Sequence, residues 1–141
     1  MGKMLGGGVE SVVMNYYRHI DRSEVQFDFL VDADSTRVPE EEIKTLGGRV
    51  FRIPPYQHPL RYRKALVRLF HEEHWPIVHS HINTLSVFPL SAAKKAGVPV
   101  RIAHSHSTMG KGELAKNLMK LALRPLSNLY PTERFACSEY A

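Results

Sequence analysis

Apolar residues along this chain recur in two alternating rhythms, one helical and one extended. Val9, Val12, Val13, Tyr16 and Tyr17 stand three and four apart, the spacing of one helix face, so a helix is predicted over 9–19, directly after Gly6-Gly7-Gly8. Gln-Phe-Asp-Phe-Leu-Val at 26–31 reads as a strand, and 39–46 as a short helix with an acidic start, stopped by Gly47-Gly48. A strand over 49–53 is closed by Pro54-Pro55. Leu60, Leu66, Val67, Leu69 and Phe70 then predict a helix over 60–74, and a short buried strand follows at 77–80, after Trp75-Pro76. Thr84 is placed to cap a helix that runs to about Ala96 and stops at Gly97. Pro99 introduces a strand over 100–104, a helix is predicted over 112–129, and a last strand over 134–137.

Strands separated by helices pair in parallel, so this order predicts an α/β fold, a doubly wound parallel sheet of Rossmann type built as one domain around one core. Ligands in such folds gather at the carboxyl edge of the sheet, where strands end and helices begin. A doubly wound domain opens with a buried strand leading into its glycine turn, yet only Met1 to Leu5 precede the glycines. At the other end, Cys137-Ser138-Glu139-Tyr140-Ala141 reads as a strand followed by the cap and first turn of a helix. The expectation is therefore a domain truncated at both ends, its first strand largely missing.

Composition narrows the class without choosing a function. With 141 residues, 43% hydrophobic and 23% charged, the chain has the make-up of an ordinary globular core. A single cysteine, Cys137, builds no disulfide framework, and a cytosolic setting is expected. No apolar run approaches the roughly 20 residues of a membrane span. The start lacks the pattern of a signal peptide, and Gly6 stands where a myristoylation signal needs Ser or Thr. A formal charge of +5 suits nucleic acid, an anionic membrane face or phosphate-bearing substrates. Without zinc-finger spacing, RNP-type aromatics or a long basic run, no nucleic-acid partner is expected.

Three features lie at the predicted ligand edge. In Gly6-Gly7-Gly8-Val9-Glu10-Ser11, missing side chains let backbone N–H groups and a helix N-terminus face an anion such as a phosphate. The same turn also arises wherever a strand must enter a helix tightly. The run lacks the third glycine of the dinucleotide fingerprint, which argues against NAD. The second feature is a pair of strand-end doublets, His79-Ser80-His81 and His104-Ser105-His106, whose members share a face if the strand persists. Such histidines can hydrogen-bond a sugar hydroxyl or phosphate, or move a proton. Four imidazoles with no carboxylate or thiolate beside them make a poor metal site, so no metal is assigned and a zinc hydrolase stays a minor alternative. For His79 and His81 a hydrogen-bonded structural role is slightly favoured over a functional one; His104 and His106 are read as functional. The third feature is a basic amphipathic segment, with Lys116, Lys120 and Arg124 at four-residue intervals and Leu114, Leu118 and Leu121 on another face. It suits an anionic membrane surface or, more commonly, a solvated helix face. Arg61, Arg63, Lys64 and Arg68 form a similar stripe with the same two readings.

Four segments in order carry a resemblance: Gly7-Gly8-Val9-Glu10-Ser11-Val12-Val13-Met14-Asn15-Tyr16-Tyr17; Ile77-Val78-His79-Ser80-His81; Ala96-Gly97-Val98-Pro99-Val100-Arg101-Ile102-Ala103-His104-Ser105-His106-Ser107; and Phe135-Ala136-Cys137-Ser138-Glu139-Tyr140-Ala141. Over nearly its whole length the chain resembles the N-terminal, acceptor-side domain of GT4-type glycosyltransferases, particularly bacterial capsule and exopolysaccharide members. The resemblance implies a GT-B architecture of two Rossmann-like domains, retention of anomeric configuration, and no metal or other cofactor. It also implies a C-terminal donor-binding domain with an E-x7-E signature, which lies outside this sequence, so the piece alone is expected to be inactive. On the same resemblance Gly7 and Gly8 approach the donor diphosphate, with Glu10 in the same turn, and His104 is the active-site histidine, with His106 as rival. His81, Lys111 and Lys116 are implied contacts to donor or acceptor. The partners implied are a nucleotide-sugar and a glycan or lipid-linked acceptor, with peripheral contact to the inner face of the plasma membrane. A non-catalytic sugar- or membrane-binding module is the alternative from another class.

Overall fold

The computed structural model describes residues 1–106, 118 and 121–138. Helices and strands alternate as the hydrophobic rhythm requires, and the contacts divide the chain into two compact units, Met1–His58 and Pro59–Ala141. Among the described residues the strands pair as a two-stranded sheet in the first unit and a three-stranded sheet in the second, both wholly parallel, as expected of a Rossmann-like fold.

The first unit contains α1 (Gly8–His19), β1 (Asp28–Asp32), α2 (Glu40–Thr45) and β2 (Arg49–Ile53). Its core is Met4, Val13, Met14, Tyr17, Phe29, Val31 and Ile43. The buried face of α1 is Val13, Met14 and Tyr17, whereas Val12 and Tyr16, counted on the apolar stripe from spacing alone, are exposed. Tyr17 anchors this core. Its ring stacks on Phe27 at 5.3 Å and meets the edge of Phe29 at 5.1 Å, while its hydroxyl donates to Gln26 Oε1 at 2.6 Å and lies 3.2 Å from the Leu46 carbonyl. Residues 1–4 run beside β1 on the side away from β2: Gly2 forms a parallel bridge with Val31, and Asp32 N–H donates to the Gly2 carbonyl at 3.0 Å.

The second unit contains α3 (Pro59–Glu73), β3 (Ile77–Ser80), α4 (Val87–Lys95), β4 (Val100–Ser105) and β5 (Glu133–Ala136), with the strands side by side in chain order. Helix α3 buries Tyr62, Leu66 and Phe70, one residue per turn, and packs against α4, whose small Ala92 and Ala93 are fully buried. Thr84 does not cap α4. It lies inside a 3-10 turn, Asn83–Ser86, that feeds directly into the helix, and the buried Ser80 hydroxyl donates to Ser86 Oγ at 2.9 Å across that junction. Both α2 and α4 end on a glycine in the left-handed region, Gly47 at φ 89° and Gly97 at φ 81°, with the following N–H returning to the helix (Gly48 to Ile43, Val98 to Ala93). Of the predicted 112–129 helix, residues 112–117, 119 and 120 lie outside the described residues; residues 121–123 are helical and pass into a 3-10 turn at Arg124–Asn128, where Pro125 sits in the first turn. Ile77 and the whole of β5 are exposed, so β3 is not the fully buried strand its composition suggests.

Candidate functional site

The glycine turn resolves around Glu10. Its carboxylate accepts from the backbone N–H of Leu5 at 2.8 Å, of Gly7 at 2.5 Å, and of Gly6. A side chain three residues into the helix returns to the N-cap, as in a capping box, and meets the positive end of the helix dipole. The anion at this helix N-terminus is therefore the protein's own: the N–H groups of Leu5 to Gly7, expected to face a phosphate, hold Glu10. A Cβ built at Gly7 or Gly8 meets nothing within 4 Å, so the protein itself does not require glycine there for space. Beside the turn lies Arg37, whose Nη1 would sit 3.5 Å from a Cβ at Gly6. Sequence reasoning missed this cation. It belongs to the irregular stretch before α2, where no periodicity marks it; the Thr36 and Arg37 N–H groups hold it there by donating to the Met4 carbonyl.

In the second unit both histidine doublets meet. Pairing of β3 with β4 sets His79 opposite Ile102, which puts His104 one same-face step further along, and the short strands hold both members of each doublet on one face. His79 Nε2 lies 3.1 Å from His104 Nδ1, and His81 Nδ1 lies 2.9 Å from His106 Nε2. Ring centroids within each doublet are 4.1 Å apart. Asn83, at φ 53° just past β3, accepts from the His106 N–H at 2.7 Å through Oδ1 and so fixes the end of β4.

Strand β5 adds what the sequence reading lacked. It pairs His104 with Phe135 and Ser105 with Ala136, and the Cys137 N–H donates to the Ser105 carbonyl at 3.0 Å. Phe135 and Cys137 thus repeat the i, i+2 pattern of the two doublets. Phe135 turns its edge to His79 and His104, at 5.6 and 5.8 Å. Cys137 Sγ lies 3.0 Å from His106 Nδ1 and 3.5 Å from His104 Nε2. The premise that no thiolate stands beside the imidazoles is corrected by this contact. Two trios bring their donor atoms within 4.8 Å of one another, His79–His81–His104 and His104–His106–Cys137.

Burial and mutual repulsion keep these imidazoles neutral. Burial first, then the His104 and His106 charges, lowers His79 to about 4. Burial first, then His79, lowers His81 to about 2. His104 and His106 are also pushed down by burial, and His106 further by His104. The cluster consequently offers neutral donors and acceptors rather than cations: it suits hydrogen bonds to hydroxyls, or lone pairs for a metal, more than electrostatic capture of a phosphate.

Of the residues singled out from sequence, His79, His81, His104 and His106 come together, while Gly7, Gly8 and Glu10 form the turn of the other unit. Lys111, Lys116 and Lys120 lie outside the described residues. Arg61, Arg63, Lys64 and Arg68 are exposed along α3, and Arg68 pairs with Glu72 one turn on, as on a solvated face. No described helix is long and apolar enough to cross a membrane.

Residues 7–140 match the family described as "Glycosyl transferase 4-like domain". The chain is 40% identical over 141 residues to "Putative glycosyltransferase EpsF" of Bacillus subtilis (strain 168), an alignment covering 96% of this chain and 36% of that protein. The chain thus spans about a third of the length of this curated relative. No solved structure matches it.

Proposed function

The chain belongs to the glycosyl transferase 4-like family, and on that premise we propose that it forms the acceptor-side half of an enzyme that transfers a sugar from a nucleotide-sugar to a glycan or lipid-linked acceptor in cell-surface polysaccharide synthesis. The observation that carries this reading is the meeting of His104 and His106 with the other doublet at the carboxyl ends of adjacent parallel strands, where α/β folds gather their ligands. A neutral imidazole there accepts a hydrogen bond from a sugar hydroxyl with one nitrogen while the other is held by the neighbouring strand's histidine. The histidine pairs fix ring orientation before substrate arrives, which is the positioning a transfer reaction draws on. Donor binding belongs to a second domain facing this one, transfer retains configuration and needs no metal, and the chain alone does not turn over. At the glycine turn, Arg37 and the Gly8 end of α1 are the groups available to the donor diphosphate, while the N–H groups of Leu5 to Gly7 are taken up by Glu10.

The test is transfer of labelled sugar from a panel of nucleotide-sugars to membrane or glycan acceptors by the whole enzyme, with His104→Ala and His106→Ala compared. The variant that removes the acting imidazole loses about 10²–10⁴-fold in rate. Two folded variants that both keep full transfer would remove the histidines from the reaction.

A further inference from the structure

We propose that His104, His106 and Cys137 form a binding site for a zinc-class divalent ion, with His79 and His81 as its outer supports. Each imidazole of the β4 doublet has one nitrogen turned to Cys137 and the other turned to β3. His104 presents Nε2 to Cys137 Sγ at 3.5 Å and Nδ1 to His79 Nε2 at 3.1 Å; His106 presents Nδ1 to Sγ at 3.0 Å and Nε2 to His81 Nδ1 at 2.9 Å. With the His104 Nδ1–H and the His106 Nε2–H donated to the β3 histidines, the lone pairs of His104 Nε2 and His106 Nδ1 are left facing the sulfur. Metal-ligating histidines are held in this way, by a second hydrogen bond that fixes tautomer and orientation.

The dimensions suit a tetrahedral ion. Bonds of about 2.0–2.1 Å to nitrogen and 2.3 Å to sulfur set the tetrahedron's N···S edge near 3.6 Å and its N···N edge near 3.3 Å. The two N···S separations, 3.0 and 3.5 Å, need only tenths of an ångström of adjustment, and the span of the trio, within 4.8 Å, closes to the N···N edge with at most about 1.5 Å of movement. Two imidazoles and one thiolate are borderline-soft donors that select zinc over magnesium or calcium. Binding displaces the Cys137 thiol proton to solvent, so the neutral cluster gains a dication and a thiolate together. Three protein ligands leave a fourth position for water or a ligand oxygen.

An ion here takes up the lone pairs that His104 and His106 would offer a sugar hydroxyl, so zinc acts as a reversible inhibitor of transfer. That consequence rests on the transferase reading; the binding itself does not.

The experiment uses the purified protein after chelator treatment. Zinc is titrated against a chromophoric chelator, and cobalt(II) is added as a spectroscopic substitute. The expected result is one ion per chain, with a thiolate-to-cobalt charge-transfer band and tetrahedral d–d intensity. Cys137→Ser, a conservative change at an exposed position, abolishes the charge-transfer band. His81→Gln keeps the band and weakens affinity about 10–100-fold, as loss of an outer support does. Far-UV circular dichroism confirms that both variants fold. Absence of stoichiometric binding, or a cobalt spectrum unchanged by Cys137→Ser, overturns the proposal. In the whole enzyme, zinc slows transfer by wild type and much less by Cys137→Ser. Metal binding without any measurable transfer would sink the proposed function and leave the site standing, whereas transfer without metal binding does the reverse.

Discussion

Gly48→Ala probes the packing that holds the first unit together. A Cβ at Gly48 would stand 2.5 Å from Tyr17 Oη, 2.6 Å from the Phe27 carbonyl oxygen and 3.0 Å from Ile43 Cγ2. None of the three has an easy retreat. Tyr17 is fully buried between Phe27 and Phe29 with its hydroxyl bonded to Gln26, the Phe27 oxygen is backbone, and Ile43 is fully buried on α2. Overpacking of a well-filled core costs about 1–3 kcal/mol, and displacing the Tyr17 hydroxyl from its partner adds about 1 kcal/mol. The expected destabilisation is therefore about 2–4 kcal/mol. Gly8→Ala is the internal control: its Cβ meets nothing within 4 Å, and alanine at a helical position is favoured over glycine by about 0.5–1 kcal/mol. Urea denaturation followed by circular dichroism, with hydrogen exchange over residues 1–58, separates the two. A Gly48→Ala midpoint equal to wild type, with unchanged protection around Tyr17, would show that the turn and α2 yield freely and that the close approach is not a constraint.

Glu10→Ala frees the N–H groups of Leu5, Gly6 and Gly7 and removes a helix-capping carboxylate, so a stability loss of about 0.5–2 kcal/mol is expected in denaturant titration, together with tighter pyrophosphate binding by calorimetry; weaker binding would mean that Glu10 shapes the anion site rather than fills it. Gly7→Ala, with only open space around its Cβ and N-cap angles of φ −90° and ψ 179°, leaves the thermal midpoint nearly unchanged but impairs transfer in the whole enzyme if a diphosphate approaches the backbone; unaffected transfer argues against that approach. His79 and His81 have folded pKa values lowered to about 4 and about 2, so the unfolded chain binds more protons below its ordinary value near 6.5. Their contribution to stability is fully present above that value and is lost progressively as pH falls from it toward the folded values, about 4 for His79 and about 2 for His81. In chelator the midpoint should drop between pH 7 and 5, and less so in His81→Gln; a flat profile would contradict burial of the neutral pair.

The alternation of helices and strands is legible along the chain, because a 3.6-residue rhythm and short apolar runs bounded by glycine and proline are local properties. The strands over 49–53 and 77–80 are observed as expected, α1 starts one residue earlier than expected, and α3 is shifted by one residue at each end. Parallel pairing also followed, since antiparallel neighbours need no intervening helix. Both histidine doublets were visible as strand-end residues. Adjacency, by contrast, arises only on folding. Which strands lie side by side, in which sheet and in what register, depends on how whole faces pack, and no spacing encodes it. Cys137 therefore reads as an isolated thiol until β5 pairs with β4 and sets it beside His104 and His106. Glu10 likewise reads as an ordinary first-turn acid until the turn folds back and its carboxylate fills the place a phosphate was expected to take. Within α1 the spacing named Val13 and Tyr17 of the buried face but also counted Val12 and Tyr16, which are exposed, and passed over Met14, because the core the helix meets selects which flank of the stripe is covered.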